Sequence, residues 1–312
     1  MSIEERQIER LLELSDRLRS LSDWDGAIDA LKRALALDPD HARAHAALAL
    51  ALLGARRLQG ASIEARLALA SDGGDPFCHH AAAAVLCAER KLDDAWAHCL
   101  VALEVESADV DVYVLGAHIR ELQGRLDLAR ELLERALELE PVHVGALTAL
   151  AEVELADGAI DRATARVDEA LAAEPGSVDA HVIAGFVALR RGDVAGAEEH
   201  ARFALGEDAA DHGALRLYTA VKARRSWTMG LWWRFNSWLT LRSQRGQIAI
   251  LLGSFVLIQL ATIVAEAVGA DDVAGALDLL WLGFCAYTWV APFMFRRMLQ
   301  RDLEKIVLRD DF

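Results

Sequence analysis

Six side chains able to hold a soft metal crowd between residues 78 and 99: Cys78, His79, His80, Cys87, His98 and Cys99. Thiolate and imidazole together suit zinc or copper. Their placement opposes that use, because no Cys-x-x-Cys pair is present and the six come from two faces of two short helical stretches, where small Cys and His also serve as packing residues. The chain has no glycine-rich phosphate loop, no HExxH and no GxSxG, and its paired carboxylates read as solvated helix faces. No metal, no other cofactor and no catalysis are expected. With Cys285, the cysteines read as reduced thiols.

What must position these residues is a repeat. Small residues return every 34 positions at Ala27, Ala61, Ala95, Ala129, Ala163 and Ala197, and again at Ala34, Ala68, Ala102, Ala136, Ala170 and Ala204. Self-similarity at this spacing marks a stacked helical array. The units run 8–41, 42–75, 76–109, 110–143, 144–177 and 178–211. Each reads as an apolar-periodic first helix, a turn near Gly124, Gly158 or Gly192 in the later units, and a second helix opened by a large residue: Trp24, Leu58, Leu92, Leu126, Ile160 or Val194. Within the second helix the two alanine slots lie seven apart, hence on one face, where small side chains let neighbouring helices approach. Pro39, Pro141 and Pro175 share one slot at unit ends, and Pro76 opens the third unit, where a first-turn proline is tolerated. The fold class is therefore all-α.

On these alanine slots, prolines and second-helix openers the chain resembles the tetratricopeptide repeat (TPR) family over about two-thirds of its length. The family's first-helix aromatic pattern is degenerate, its Trp slot holding Leu11, His45, His79, Tyr113, Leu147 and His181. The resemblance implies a right-handed α-solenoid of about six helix pairs over residues 1–222, closed by a capping helix at 212–222. It also implies a concave groove built by the first helices, on which Leu50, Leu53, Phe77, His80, Val114, His118, Glu121, Glu152, Phe186 and Leu189 would face a bound peptide, with Cys87 beside His80. Such a groove is apolar in its first half and acidic at its middle, which suits an amphipathic helix or an extended segment with a few basic residues. The Lys and Asn set by which chaperone-binding members grip a terminal carboxylate is absent.

Charge divides the chain near Lys222. Residues 1–222 carry 23 bases and 40 acids and residues 223–312 carry 10 and 8, within a total net charge of −15. That balance argues against nucleic-acid binding, which needs clustered Lys and Arg. From 223 to 246 the composition turns to tryptophan and arginine without any acid. Trp227, Leu231, Trp232, Phe235, Trp238 and Leu239 share one helical face, and Trp233, Arg234, Arg242 and Arg245 stand among them in the sequence, as in a helix lying at the lipid headgroups. Uncharged apolar runs at 248–264 and 279–295 then predict two transmembrane helices, 247–268 and 276–295, around an acidic outer loop at 269–275. Arg296 and Arg297 open a basic tail at 296–312. By the positive-inside rule the repeats and both flanks face the cytoplasm of a bacterial inner membrane.

The expected function is a membrane-anchored interaction scaffold or assembly factor: the groove takes a helix or peptide of a protein partner while the tail binds lipid. The alternative is a membrane-complex subunit acting through its hairpin, with the repeats regulatory; Gly253 and Gly283 offer close-approach points there, which admits a homo-oligomer.

Overall fold

The computed structural model describes residues 3–104, 109–209 and 211–225, with further positions at 255, 258–267, 270, 272, 275–277, 279 and 281–283. Every regular element among them is α-helical. The chain divides into two compact units, Met1–Ser177 and Val178–Phe312, so the division falls between the fifth and sixth repeats.

In the first unit ten helices form five pairs: α1 Ile3–Ser20 with α2 Trp24–Leu37, α3 Ala42–Gly54 with α4 Leu58–Ser71, α5 Pro76–Ala88 with α6 Leu92–Leu103, α7 Val110–Leu122 with α8 Leu126–Leu139, and α9 Val144–Ala156 with α10 Ile160–Ala173. Partners pack on one another, each second helix packs on the first helix of the following pair, and first helices pack on first helices. The second unit holds α11 Val178–Arg191, α12 Val194–Glu207 and α13 His212–Arg225 around a core of its own, with Leu205, Leu217, Tyr218 and Val221 at its centre. The predicted openers, Trp24 through Val194, begin α2, α4, α6, α8, α10 and α12. Pro76 is the first residue of α5.

The two alanine slots explain why the pairs stack. All twelve side chains are buried, between 0% and 1% exposed. A third small slot, seven residues past the start of each unit at Ser15, Ala49, Ala83, Ala117, Ala151 and Gly185, is buried as well. At Gly185 a side chain has no room, since a Cβ there would meet the Leu217 side chain of α13 at 2.2 Å.

Each pair turns through one backbone device. Ser22, Arg56, Arg90, Gly124, Gly158 and Gly192 occupy a single slot with φ between 57° and 86°. The residue after each donates its N–H to the carbonyl five back, as Lys91 does to Leu86 at 3.0 Å and Arg125 to Arg120 at 2.8 Å. This is a Schellman termination, which needs one left-handed residue. Glycine supplies it in the last three turns, and Ser22, Arg56 and Arg90 adopt it against their own Cβ. First helices begin through a second periodic slot: His41, Asp75, Asp109, His143 and Asp211 each accept a backbone N–H of the helix they open.

Among the described residues no helix is long and apolar enough to cross a membrane. The expected interfacial residues Trp227, Trp232, Trp233, Arg234, Phe235, Trp238, Arg242 and Arg245 lie outside the described residues, as do Arg296 and Arg297 of the tail. Within the predicted spans, residues 258–267 are helical, and Leu260, Ile263, Val264, Leu279 and Leu282 are exposed. The rings of Phe255 and Trp281, one from each predicted span, stand 6.1 Å apart.

Candidate functional site

Successive first helices of the first unit carry the expected contact residues. On α3, Leu50 and Leu53 are half-buried against the core that α3, α4 and α5 share. Phe77 at the start of α5 joins that core to the one below it, and its ring meets His80 edge-on at 6.2 Å. Burial lowers the pKa of His80, with Asp111 and Asp109 at the mouth of α7 pulling the other way and Arg19 adding to the lowering. Val114 is half-buried against the next core. Further along α7, His118 is exposed and its Nδ1 lies 3.6 Å from the Glu121 carboxylate. Glu152 of α9 is exposed. The apolar residues thus sit on α3, α5 and, with Val114, the start of α7, and the acidic ones further along α7 and on α9.

The second unit treats its two expected residues differently. Phe186 is half-buried under the Arg216 guanidinium, 5.8 Å from the ring centroid. Leu189 is not a surface residue: it is 5% exposed, enclosed by α11, α12 and α13. The cause is α13, which covers the end of α11; Arg224 of α13 donates to the Leu189 carbonyl. Cys87 is also buried, among Ala83, Ala95, Cys99 and Ile119.

The cysteines serve the core. Cys78, Cys87 and Cys99 are free and buried. Burial, joined by the nearby Asp75 and Asp72, pushes the Cys78 thiol up to about 11, and burial pushes Cys99 to about 12. Protonated thiols are poor metal donors. The Cys99 Sγ instead donates to the Val112 carbonyl at 3.7 Å. Among the described residues no group of three or more His, Cys, Asp or Glu is arranged to hold a metal ion.

The histidines do something the periodic pattern alone did not announce. In the Trp slot, each His reaches a partner 19 residues on, in the second helix of its own pair. His45 Nδ1 lies 2.6 Å from Glu64 Oε2, and its Nε2 lies 2.8 Å from the Pro39 carbonyl. His79 repeats the arrangement with His98 Nδ1 at 2.9 Å and the Gly73 carbonyl at 3.0 Å. His181 meets His200, Nδ1 to Nδ1, at 2.9 Å. A polar clasp thereby replaces an aromatic wedge between the two helices of a pair. The signal was present in the sequence as His at a fixed offset of 19, but only against a known helix pair does that offset mean contact.

Two charged residues stand inside the helix packing. Glu154 of α9 is 4% exposed, its pKa raised by burial against the opposing pull of Arg162, Arg166 and Arg130, and its Oε2 has no hydrogen-bond partner. Leu18, Leu52 and Leu86 fill the same slot in earlier units. Glu198 of α12, 8% exposed, gathers Arg202 at 2.9 Å and, from α13, Arg225 at 2.6 Å and Lys222 at 4.0 Å.

Two stretches of the chain match family models, residues 16–54 one described as TPR repeat and residues 122–184 one described as tetratricopeptide repeat. No curated protein matches the chain in sequence. Among solved structures, the fold is similar to that of pilF from Pseudomonas aeruginosa, at 18% identity and a TM-score of 0.52 over 72% of this chain and 100% of that one. It is similar to PilW, a type IV pilus biogenesis factor, at 17% identity and a TM-score of 0.54 over 67% and 97%. A thermophilic TPR protein of Thermus thermophilus aligns at 23% identity and 0.52 over 59% and 98%. These likenesses establish an all-helical TPR fold.

Proposed function

We propose that the tetratricopeptide repeats of this chain form a protein-binding scaffold, and that the first-helix face of the first unit is the surface that binds. One observation carries the reading. Half-buried Leu50, Leu53 and Phe77 on α3 and α5 are followed along the stack by His118, Glu121 and Glu152 on α7 and α9, an apolar stretch running into an acidic one. A segment with apolar anchors at one end and basic residues at the other matches both halves, and the match is with protein rather than nucleic acid.

The scaffold is held at a bacterial inner membrane, with the repeats facing the cytoplasm. What supports this is the tryptophan- and arginine-rich composition of 223–246, the two apolar runs beyond it and the basic residues on both outer flanks. Tethering raises the effective concentration of the binding face at the bilayer, so a weak surface suffices. The role is assembly or recruitment of a membrane complex.

The test is co-purification. Full-length protein is recovered from native membranes in mild detergent beside Leu50→Glu and a Glu121→Lys, Glu152→Lys double variant, each checked for helical content. Loss of the same co-purifying protein in both variants supports the face as the working surface. Retention in both sinks it.

A second reading is favoured by the 6.1 Å approach of Phe255 and Trp281 and by the exposed Leu260, Ile263, Val264, Leu279 and Leu282 around it. These residues suit a lipid-facing or partner-packing hairpin that acts itself, with the repeats regulatory. Under that reading partners persist when the binding face is altered and disappear when the hairpin's exposed leucines become polar.

A further inference from the structure

The pairs His79–His98 and His181–His200 lie three repeat periods apart and have the same geometry, Nδ1 against Nδ1 at 2.9 Å. Their ring centroids are 5.0 and 5.2 Å apart. With the nitrogens at 2.9 Å, such centroid separations mean that the two rings point at one another nearly head-on. That is the geometry of N–H···N, with one proton between the rings. It is not that of a chelate, in which both lone pairs converge on a third point.

The tautomers follow for the first pair. His79 Nε2–H donates to the Gly73 carbonyl, so its Nδ1 carries the lone pair and accepts from His98 Nδ1–H. A proton added at His98 Nε2 leaves this bond in place. A further proton has only His79 Nδ1 to go to, and there two N–H groups would face each other across 2.9 Å with nothing to accept either. The pair therefore tolerates one extra proton and is broken by the next.

We propose that His79–His98 and His181–His200 are proton-operated clasps: as the pH falls each opens and frees the first helix of its repeat from the second, in the third and sixth repeats alone. The second repeat is the internal contrast. His45 faces an acceptor at both nitrogens, Glu64 and the Pro39 carbonyl, so a ring with both nitrogens protonated donates to both and an added proton completes the contact rather than breaking it. Acid thus loosens two repeats of the array and leaves that one closed.

The surroundings are consistent with this. On His98 act burial, His79 of α5 and, in the opposite sense, Asp94 of its own helix, with a net lowering of its pKa. On His200 act burial and His181 of α11, opposed by Glu199 of α12 and Asp193 ahead of it, again with a net lowering. Around the first pair, Asp72 and Asp75 of the α4–α5 turn and Arg43 of α3 bear on Cys78, and Asp109 and Asp111 of α7 bear on His80. Against the second pair, the Phe203 ring lies 3.9 Å from that of His181. Because α5 also carries Phe77 and His80, opening the first clasp alters the proposed binding face; that consequence alone rests on the proposed function.

The experiment reads the clasps directly. Amide hydrogen exchange of the full-length protein in detergent is followed by mass spectrometry at about pH 7.5 and about pH 5 and corrected for intrinsic exchange. The expected result is a rise of about tenfold or more in α5–α6 and α11–α12, what a one-unit pKa difference between closed and open pair produces, with little change in α3–α4 or α7–α10. His98→Gln should remove the response from α5–α6 and keep it in α11–α12. In parallel, ring-nitrogen shifts of 15N-histidine-labelled wild type need no variant to fold, and should show each pair taking up its second proton over the pH range in which exchange rises. Uniform loosening of all pairs, no loosening, or uptake of both protons by each pair without a rise in exchange would overturn the proposal. Since no ligand is involved, the outcome is independent of whether the binding face is correctly assigned.

Discussion

The guanidinium of Arg225, in the last turn of α13, donates to the Glu198 carboxylate of α12 at 2.6 Å. Arg202 and Lys222 converge on the same carboxylate, so the end of the capping helix is held immediately ahead of the tryptophan-rich stretch.

Replacing Glu198 by Ala should destabilise the second unit by about 1 kcal/mol rather than the larger cost of a broken buried pair, since Arg225 is 65% exposed and rehydrates freely. Limited proteolysis near Arg224 and Arg225 should accelerate. Unchanged cleavage and unchanged urea midpoint would show that apolar packing alone holds α13.

Ala129→Leu should cost about 1–3 kcal/mol by overpacking a slot that is 0% exposed, whereas Glu131→Leu, two residues on and exposed, should cost little. Urea denaturation compares the two. Equal effects would mean that the alanine slot is not what sets the helix spacing.

Arg56→Gly and Arg90→Gly should each raise stability by about 0.5–1 kcal/mol, because φ of 60° and 63° opposes their Cβ. The converse change, Gly158→Ala at φ 83°, should lower it by about 1 kcal/mol, although nothing lies within 4 Å of the added methyl. Thermal unfolding separates backbone strain from crowding here, since crowding predicts no effect at Gly158.

Glu154→Leu should stabilise the first unit by about 1–2 kcal/mol, since a buried carboxylate with one unsatisfied oxygen gives way to the residue that earlier repeats use in that slot. A loss of stability would assign Glu154 a necessary partner in Arg162, which lies 3.6 Å away.

His80, His98 and His200 all have pKa values lowered chiefly by burial. Below the ordinary histidine value of 6.5 the unfolded chain binds protons that the folded chain refuses. Their contribution to stability is therefore complete above that pH and is lost as the pH falls through the lowered folded values. Urea midpoints measured down the range should decline, and less steeply in His200→Gln. A flat profile would contradict the lowered values.

The repeat length, the helix openers, the alanine slots and the all-helical class were legible in the chain because each expresses itself locally or periodically. A buried alanine every 34 residues needs no knowledge of its neighbour to be noticed. The turn slot was half legible: glycine announces left-handed backbone at Gly124, Gly158 and Gly192, while Ser22, Arg56 and Arg90 adopt it only because the helices on either side force the chain round. The capping slot of His41, Asp75, Asp109, His143 and Asp211 was periodic too, but its residue types differ, so it stands out only once they are seen accepting the same backbone bond. What tertiary structure alone decided was which polar groups meet and which apolar ones vanish. Leu189 has no place on the expected contact face because α13 covers it, and His79 found His98 because α6 folds back on α5. Pairing of this kind depends on the relative placement of two helices to within an ångström, and helical periodicity along one chain carries no such information.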